Sequence, residues 1–151
     1  MDRMTMLRSH VERVLMQEWH RHDLAPDVDG DYEFRAGTAQ GWVRIHPVLG
    51  TSPPMVSIFA HAALGLKSSA RLLRELNELN CASRWCKVYL RHDEVIVARD
   101  LDLSATDDPS IRWALETVSA VAKDIGTMLA TVYGGSTPFP AEPETAETEG
   151  P

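Results

Sequence analysis

Between residues 68 and 100 the spacing of apolar side chains changes once, and few folds accommodate both halves of that change. Leu72, Leu73, Leu76 and Leu79 recur at helical spacing and mark one face of a helix. Ser68 or Ser69 can cap its start, because a hydroxyl accepts a bond from an unpaired N–H of the first turn. From Cys86 the period is two: Cys86, Val88 and Leu90 alternate with Lys87, Tyr89 and Arg91. His92-Asp93 is a short polar link, after which a β-branched run resumes over residues 94–98. That is a hairpin with a tight connection. A helix feeding an antiparallel hairpin predicts an α+β domain.

The flanking chain extends this pattern. Residues 2 to about 22 carry Leu7, Val11, Val14 and Leu15 on one helical stripe, closed by Pro26 and a polar run. Residues 27–31, Asp-Val-Asp-Gly-Asp, have their glycine two places too early for a calcium-binding helix–loop–helix and are followed by a strand, so they read as a turn. Strands are expected over 32–35, 42–47 and 55–62, with turns at 37–41 and 50–54 and Gly65 closing the third. Residues 101–109 read as a linker. Ile111, Leu115, Val118, Ala122, Ile125, Leu129 and Val132 then form a seam of about six helical turns, roughly 35 Å long. Asp107, Asp108 and Pro109 suit its start, and Gly134-Gly135 its end. The predicted order is α-β-β-β-α-β-β-α, a twisted antiparallel sheet packed with helices, in one domain over residues 1–135. Residues 136–151, rich in Pro, Glu and Thr, are expected to be a disordered tail.

Composition narrows the function class. The chain has 151 residues with a formal charge of −7, which disfavours non-specific nucleic-acid binding in the absence of a basic patch. Glu142, Glu144, Glu147 and Glu149 supply much of that charge, leaving about −3 on the predicted domain. The N-terminal segment holds Arg3 and Arg8 but no continuous apolar run of a secretory signal, and no apolar run approaches the length of a membrane span. The expected compartment is the cytoplasm, with Cys81 and Cys86 reduced.

Sorting the strands by side gives the sharpest expectation. Val43, Ile45, Val56, Ile58, Cys86, Val88 and Leu90 fall on one face, the core. Trp42, Arg44, His46, Met55, Phe59, His61, Trp85, Lys87, Tyr89 and Arg91 fall on the other. This second face mixes aromatic rings with cations, the residue types enriched at interfaces. Three readings are open: a terminal helix of the same chain covers it, it is an interface for a client or a second copy, or it lines a small-molecule pocket.

Catalytic and metal chemistry find little support. His46 and His61 can share the second face, but no carboxylate or Cys is expected there to complete a metal site. Ser, Cys and His occur without a nucleophile-elbow signature, and Gly134-Gly135 follows a helix, the reverse of a phosphate-cradling loop. The expectation is a protein with no catalytic residues, metal or cofactor.

The helix 72–80 (Leu-Leu-Arg-Glu-Leu-Asn-Glu-Leu-Asn), the strand Trp85-Cys86-Lys87-Val88-Tyr89-Leu90, the Asp29-Gly30-Asp31 turn and the closing Val132-Tyr133-Gly134-Gly135 together resemble YbjN-like and type III secretion chaperone-like (Tir-chaperone-type) domains. The resemblance extends over residues 1 to about 135. It implies a small α+β sandwich with a peptide-binding or chaperone-like role, often as a homodimer, and it brings no catalytic residues. A client peptide, or a second copy, is then expected on Trp42, Arg44, Phe59, Trp85, Lys87, Tyr89 and Arg91, with an open sheet edge as a further place for a client strand. No nucleic-acid or membrane partner is expected.

Overall fold

A computed structural model describes residues 2–141. The element order is the predicted one: α1 (Arg3–Trp19), β1 (Tyr32–Ala36), β2 (Ala39–His46), β3 (Met55–Ala63), α2 (Ala70–Ala82), β4 (Lys87–Arg91), β5 (Glu94–Asp102) and α3 (Asp108–Tyr133), with a short 3₁₀ turn (Leu103–Ala105) before α3. Each helix start has a chemical cause. The side chains of Asp2, Ser69 and Asp107 accept N–H bonds from Thr5, Leu72 and Ser110. At the other ends His20 (φ 51°) and Gly134 (φ 73°) enter the left-handed region and stop α1 and α3. The stop at His20 makes α1 shorter than the expected run to about residue 22.

The strands form one antiparallel sheet in the order β1-β2-β3-β5-β4. Two strands are longer than their apolar pattern indicated. β2 begins at Ala39, so only Gly37 and Thr38 link the Ala36–Ala39 pair. Its first residues lack a strand signal because Gly41 is needed under the Phe34 ring, where a Cβ would lie 2.2 Å from that ring. β5 continues to Asp102, which pairs with Met55. Residues 100–102, expected to begin a loop, are therefore strand in the middle of the sheet.

The core lies on one side of the sheet. Val43, Ile45, Val56, Ile58, Val88, Val95 and Val97 pack in one cluster with Val11, Val14 and Leu15 of α1, Leu72 and Leu76 of α2, and the α3 seam. Every predicted seam residue from Ile111 to Leu129 is buried, and only Val132 stays half exposed. α3 crosses β1, β2, β3 and β5, while α1 packs on α3 and α2 on β4. Gly126 permits the closest approach, since a Cβ there would sit 2.4 Å from the Ala62 carbonyl oxygen. The segment after α3 turns back onto the domain. Ser136 and Leu64 exchange backbone bonds of 2.8 and 2.9 Å, and the Phe139 N–H donates to the Thr38 carbonyl at 3.0 Å. The rest of the expected tail, 142–151, lies outside the described residues.

One sheet edge is closed by a side chain. β4 pairs only with β5. At Val88, the Asn80 amide from α2 donates to the carbonyl and accepts from the N–H, both at 2.7 Å. It occupies the outward N–H and C=O of Val88, a pair that an added strand would need at the middle of this short edge. Asn80→Ala is expected to cost about 1–2 kcal/mol in urea denaturation, because both groups lose their partner. It should also raise self-association in light scattering, as the edge is then bare.

Candidate functional site

On the side of the sheet away from the core, the register lines up Glu33, Trp42, Phe59, Ala98 and Lys87 across the strands, and Gln40, His61, Ile96 and Tyr89 in the adjacent row. Ile96 and Ala98 belong to β5 and are buried, yet they stand outside the helix-side core. Larger neighbours bury them. Phe59 and His61 rise on one flank, with Trp42 behind, and Lys87, Tyr89 and Arg91 rise on the other. The outcome is a trough floored by buried apolar side chains and running along β5. From Glu94 to Asp100 it is about 20 Å long, six residues of extended chain. Near the β4–β5 link it opens into a pocket of about 440 Å³ walled by the Asp27–Asp31 turn. A second hollow of about 190 Å³ continues toward Asp100. Among the described residues no helix packs on this face, so the first of the three readings, cover by a terminal helix, fails.

Of the predicted site residues, Trp42, Arg44, Phe59, Lys87, Tyr89 and Arg91 share this face. Trp42 and Phe59 stack at 5.6 Å, and Trp42 meets His61 edge-on at 4.9 Å. Arg44 lies 5.3 Å over the Phe59 ring and Lys87 5.8 Å from Tyr89. Trp85 is not with them. The strand starts only at Lys87, and the preceding residues turn, with the Ser83 hydroxyl accepting from the Cys86 N–H at 3.4 Å. The alternation that put Trp85 beside Lys87 therefore does not reach it, and its ring packs on Trp113 of α3 instead.

The expectation of a face without carboxylates is corrected. Arg44 is bidentate to Asp31, with Nε–Oδ1 at 2.9 Å and Nη2–Oδ2 at 2.6 Å. Lys87 donates to Asp100 at 3.2 Å, and the Ser57 hydroxyl donates to the same carboxylate at 2.6 Å. Glu94 approaches His61 at 3.7 Å. Glu94 and Asp100 were missed because their strand had not been placed between β3 and β4, where alternate β5 side chains join this face. Ile96, Ala98 and Ser57 were missed as well. An unbroken alternation read from residue 94 to 102 would have found the β5 members. Of the predicted cations, Arg91 alone has no carboxylate within 4 Å among the described residues.

The polar groups do not compose a catalytic or metal centre. Ser57 gives its proton to Asp100, and His46 Nε2 lies 2.8 Å from the same hydroxyl. Serine thus sits between acid and imidazole, whereas activation of a nucleophile needs the imidazole in the middle. Among the described residues no three His, Cys, Asp or Glu side chains converge to hold a metal ion. The Asp27 carboxylate instead accepts the N–H groups of Asp29 and Asp31 and shapes the turn.

Asp100 and His61 on this face are both shifted from their ordinary titration range. Burial would raise the Asp100 carboxyl, but hydrogen bonds from Ser57 and Lys87 outweigh it and hold the acid below its usual range. Burial lowers the His61 imidazole, an effect that Glu94 only partly offsets. A depressed histidine is neutral when folded and binds its proton more readily when unfolded. Its contribution to stability is thus complete above the unfolded value of about 6.5 and is lost as the pH falls toward the lower folded value. His61→Gln is expected to flatten the fall in stability below pH ~6.5, read by urea denaturation at a series of pH values. Arg44→Ala is expected to cost about 1–3 kcal/mol in the same assay, because it leaves the buried Asp31 carboxylate without its partner.

Comparison with known proteins matches the chain to the family described as T3SS (YopN, CesT) and YbjN peptide-binding chaperone 1, over residues 5–141. No curated protein matches it.

Proposed function

Because the chain belongs to the family of T3SS and YbjN peptide-binding chaperones, we propose that it holds an extended segment of a client polypeptide in the trough along β5. The observation that carries this reading is the floor of Ile96 and Ala98 between walls of aromatic and cationic side chains. Buried apolar residues on an interior strand, flanked by longer aromatic and cationic side chains, make a groove along that strand. Its apolar floor rewards burial of alternate client side chains.

The charges refine what fits. Arg44 and Lys87 already neutralise Asp31 and Asp100. A client carboxylate is therefore directed to Arg91, and a client cation to Asp27 and Asp29 at the mouth of the larger pocket. The closed β4 edge argues against strand addition there, which favours binding on the face over binding at that edge. The family's peptide-binding description supports a role without chemistry of its own, and the Ser57–His46–Asp100 grouping has the wrong order for nucleophile activation. We place it in the cytoplasm. No helix among the described residues is long and apolar enough to cross a membrane.

The test uses peptides selected from a random display library on the intact protein, with affinities measured by calorimetry. Trp42→Ala/Tyr89→Ala, first shown by circular dichroism to be folded, is expected to bind them at least tenfold more weakly, about 1.4 kcal/mol. Unchanged affinity would place the binding site elsewhere. A dimer mass in light scattering that the same double variant splits would instead give the face to a second copy, since a two-fold contact uses one patch twice.

A further inference from the structure

At the start of β4, away from the trough, lies a group of side chains with no part in the reading above. Trp85 and Trp113 meet edge to face, with ring centroids 4.7 Å apart and planes at 78°. Arg99 reaches them from the helix side of β5, its register partner being the core residue Ile58. Its guanidinium lies 4.6 Å from the Trp113 ring and 5.7 Å from Trp85, and it donates to the Trp85 carbonyl at 3.3 Å. Yet Trp85 is 53% exposed and Trp113 39%. Two neighbouring tryptophans left this open are the composition of a binding hot spot rather than of a solvated surface.

The charge around the pair says what would cover it. Arg84 is exposed beside Trp85, and among the described residues neither Arg84 nor Arg99 has a carboxylate within 4 Å. A shallow crevice of about 560 Å³ separates them. The one acid lining it, Asp100, is already held by Lys87 and Ser57. In a chain of net charge −7 this corner is a local excess of positive charge set against apolar rings. Guanidinium groups stacked on indole keep their N–H edges free for carboxylates.

We propose that this corner is a second docking surface, for an acidic peptide segment that carries a large apolar side chain. Its carboxylates meet Arg84 and Arg99, and its apolar side chain covers the tryptophan pair. The crevice adjoins the Asp100 end of the trough, sharing Lys87, Ala98 and Asp100 with it, while Trp85, Trp113 and Arg99 lie off the trough, Arg99 on the helix side of the sheet.

The chain has four tryptophans, so the indole N–H signals of a ¹⁵N-labelled sample report the two surfaces separately. Trp42 reads the trough, and Trp85 and Trp113 read the corner. The probe is a decapeptide of alternating Glu and Leu, with a Lys and Leu decapeptide as counterpart. The expected result is a shift of the Trp85 and Trp113 signals with the acidic probe only, weakened at least tenfold by Arg84→Glu. Among the described residues Arg84 makes no side-chain bond, so that variant is expected to keep the fold; Arg99→Ala, checked with it by circular dichroism, is expected to act in the same direction. Unmoved corner signals, an equal response to both probes, or full affinity in Arg84→Glu would overturn the proposal. A shift of Trp42 alone would overturn it too while leaving the trough as a peptide site. If replacing Glu142, Glu144, Glu147 and Glu149 by Gln in the full chain moves the corner signals without a probe, the occupant is the chain's own acidic segment and the assignment to a partner fails.

Discussion

The fold depends on the docking of α3 against a single side of the sheet. That helix is 26 residues long, and its buried seam reaches four of the five strands. At roughly 1.5–3 kcal/mol for each fully buried aliphatic side chain, that seam is a large apolar contribution to stability. The contact is close because Gly126 faces the Ala62 backbone without a side chain between. α1 then finds its place on α3, touching β1 through Trp19–Phe34 and Glu12–Tyr32, and α2 beside β4. With all three helices used on one side, none is left for the other. A sheet of this kind needs only one covered face to hold together. The second face is free to vary, and what it carries here is a trough.

The two sides differ in how they were built, and the difference explains what the sequence made legible. The α3 seam, the Ser69 cap and the alternation in β2, β3 and β4 are local patterns, and each reappears in the structure with small shifts at its ends. The core side follows from them, since one-residue alternation settles which side chains face inward. The other side depends on which strands are neighbours. β5 follows β4 in a hairpin, but it also inserts beside β3, and that second pairing joins residues about forty positions apart. No local pattern contains it. The hairpin alone sets Ile96 and Ala98 beside Tyr89 and Lys87; the pairing with β3 adds Phe59, His61 and Ser57 opposite them and so completes the trough.

Trp85 shows the converse. Its sequence neighbourhood alternates well enough to continue the strand backward by two residues. The chain instead turns at Ser83–Cys86, and the indole finds Trp113, a residue 28 positions away that no periodicity links to it. Asn80 belongs to the same class. On an exposed turn of α2 it reads as an ordinary polar residue, and its role as a surrogate strand depends on the backbone of Val88 lying within reach.

The charges on the open face bear on how tightly a client can be held and how selectively. Arg44–Asp31 and Lys87–Asp100 are closed pairs; opening the first would strand the buried Asp31 carboxylate, and the second is a partly exposed pair worth little to break or keep. Such pairs position the walls of the trough but give little net attraction. On the proposed reading, affinity comes from apolar contact with Ile96, Ala98, Phe59 and Trp42, a non-directional term that scales with area and tolerates many side chains. Selectivity then comes from Arg91 on one flank and Asp27 and Asp29 at the mouth, which among the described residues have no counter-ion within 4 Å, by penalising a client that sets like charge against them. An apolar floor with sparse free charge is what a holder of varied extended segments requires. A site for one small molecule would instead converge several polar groups on a single point, and this face spreads them along the length of a strand.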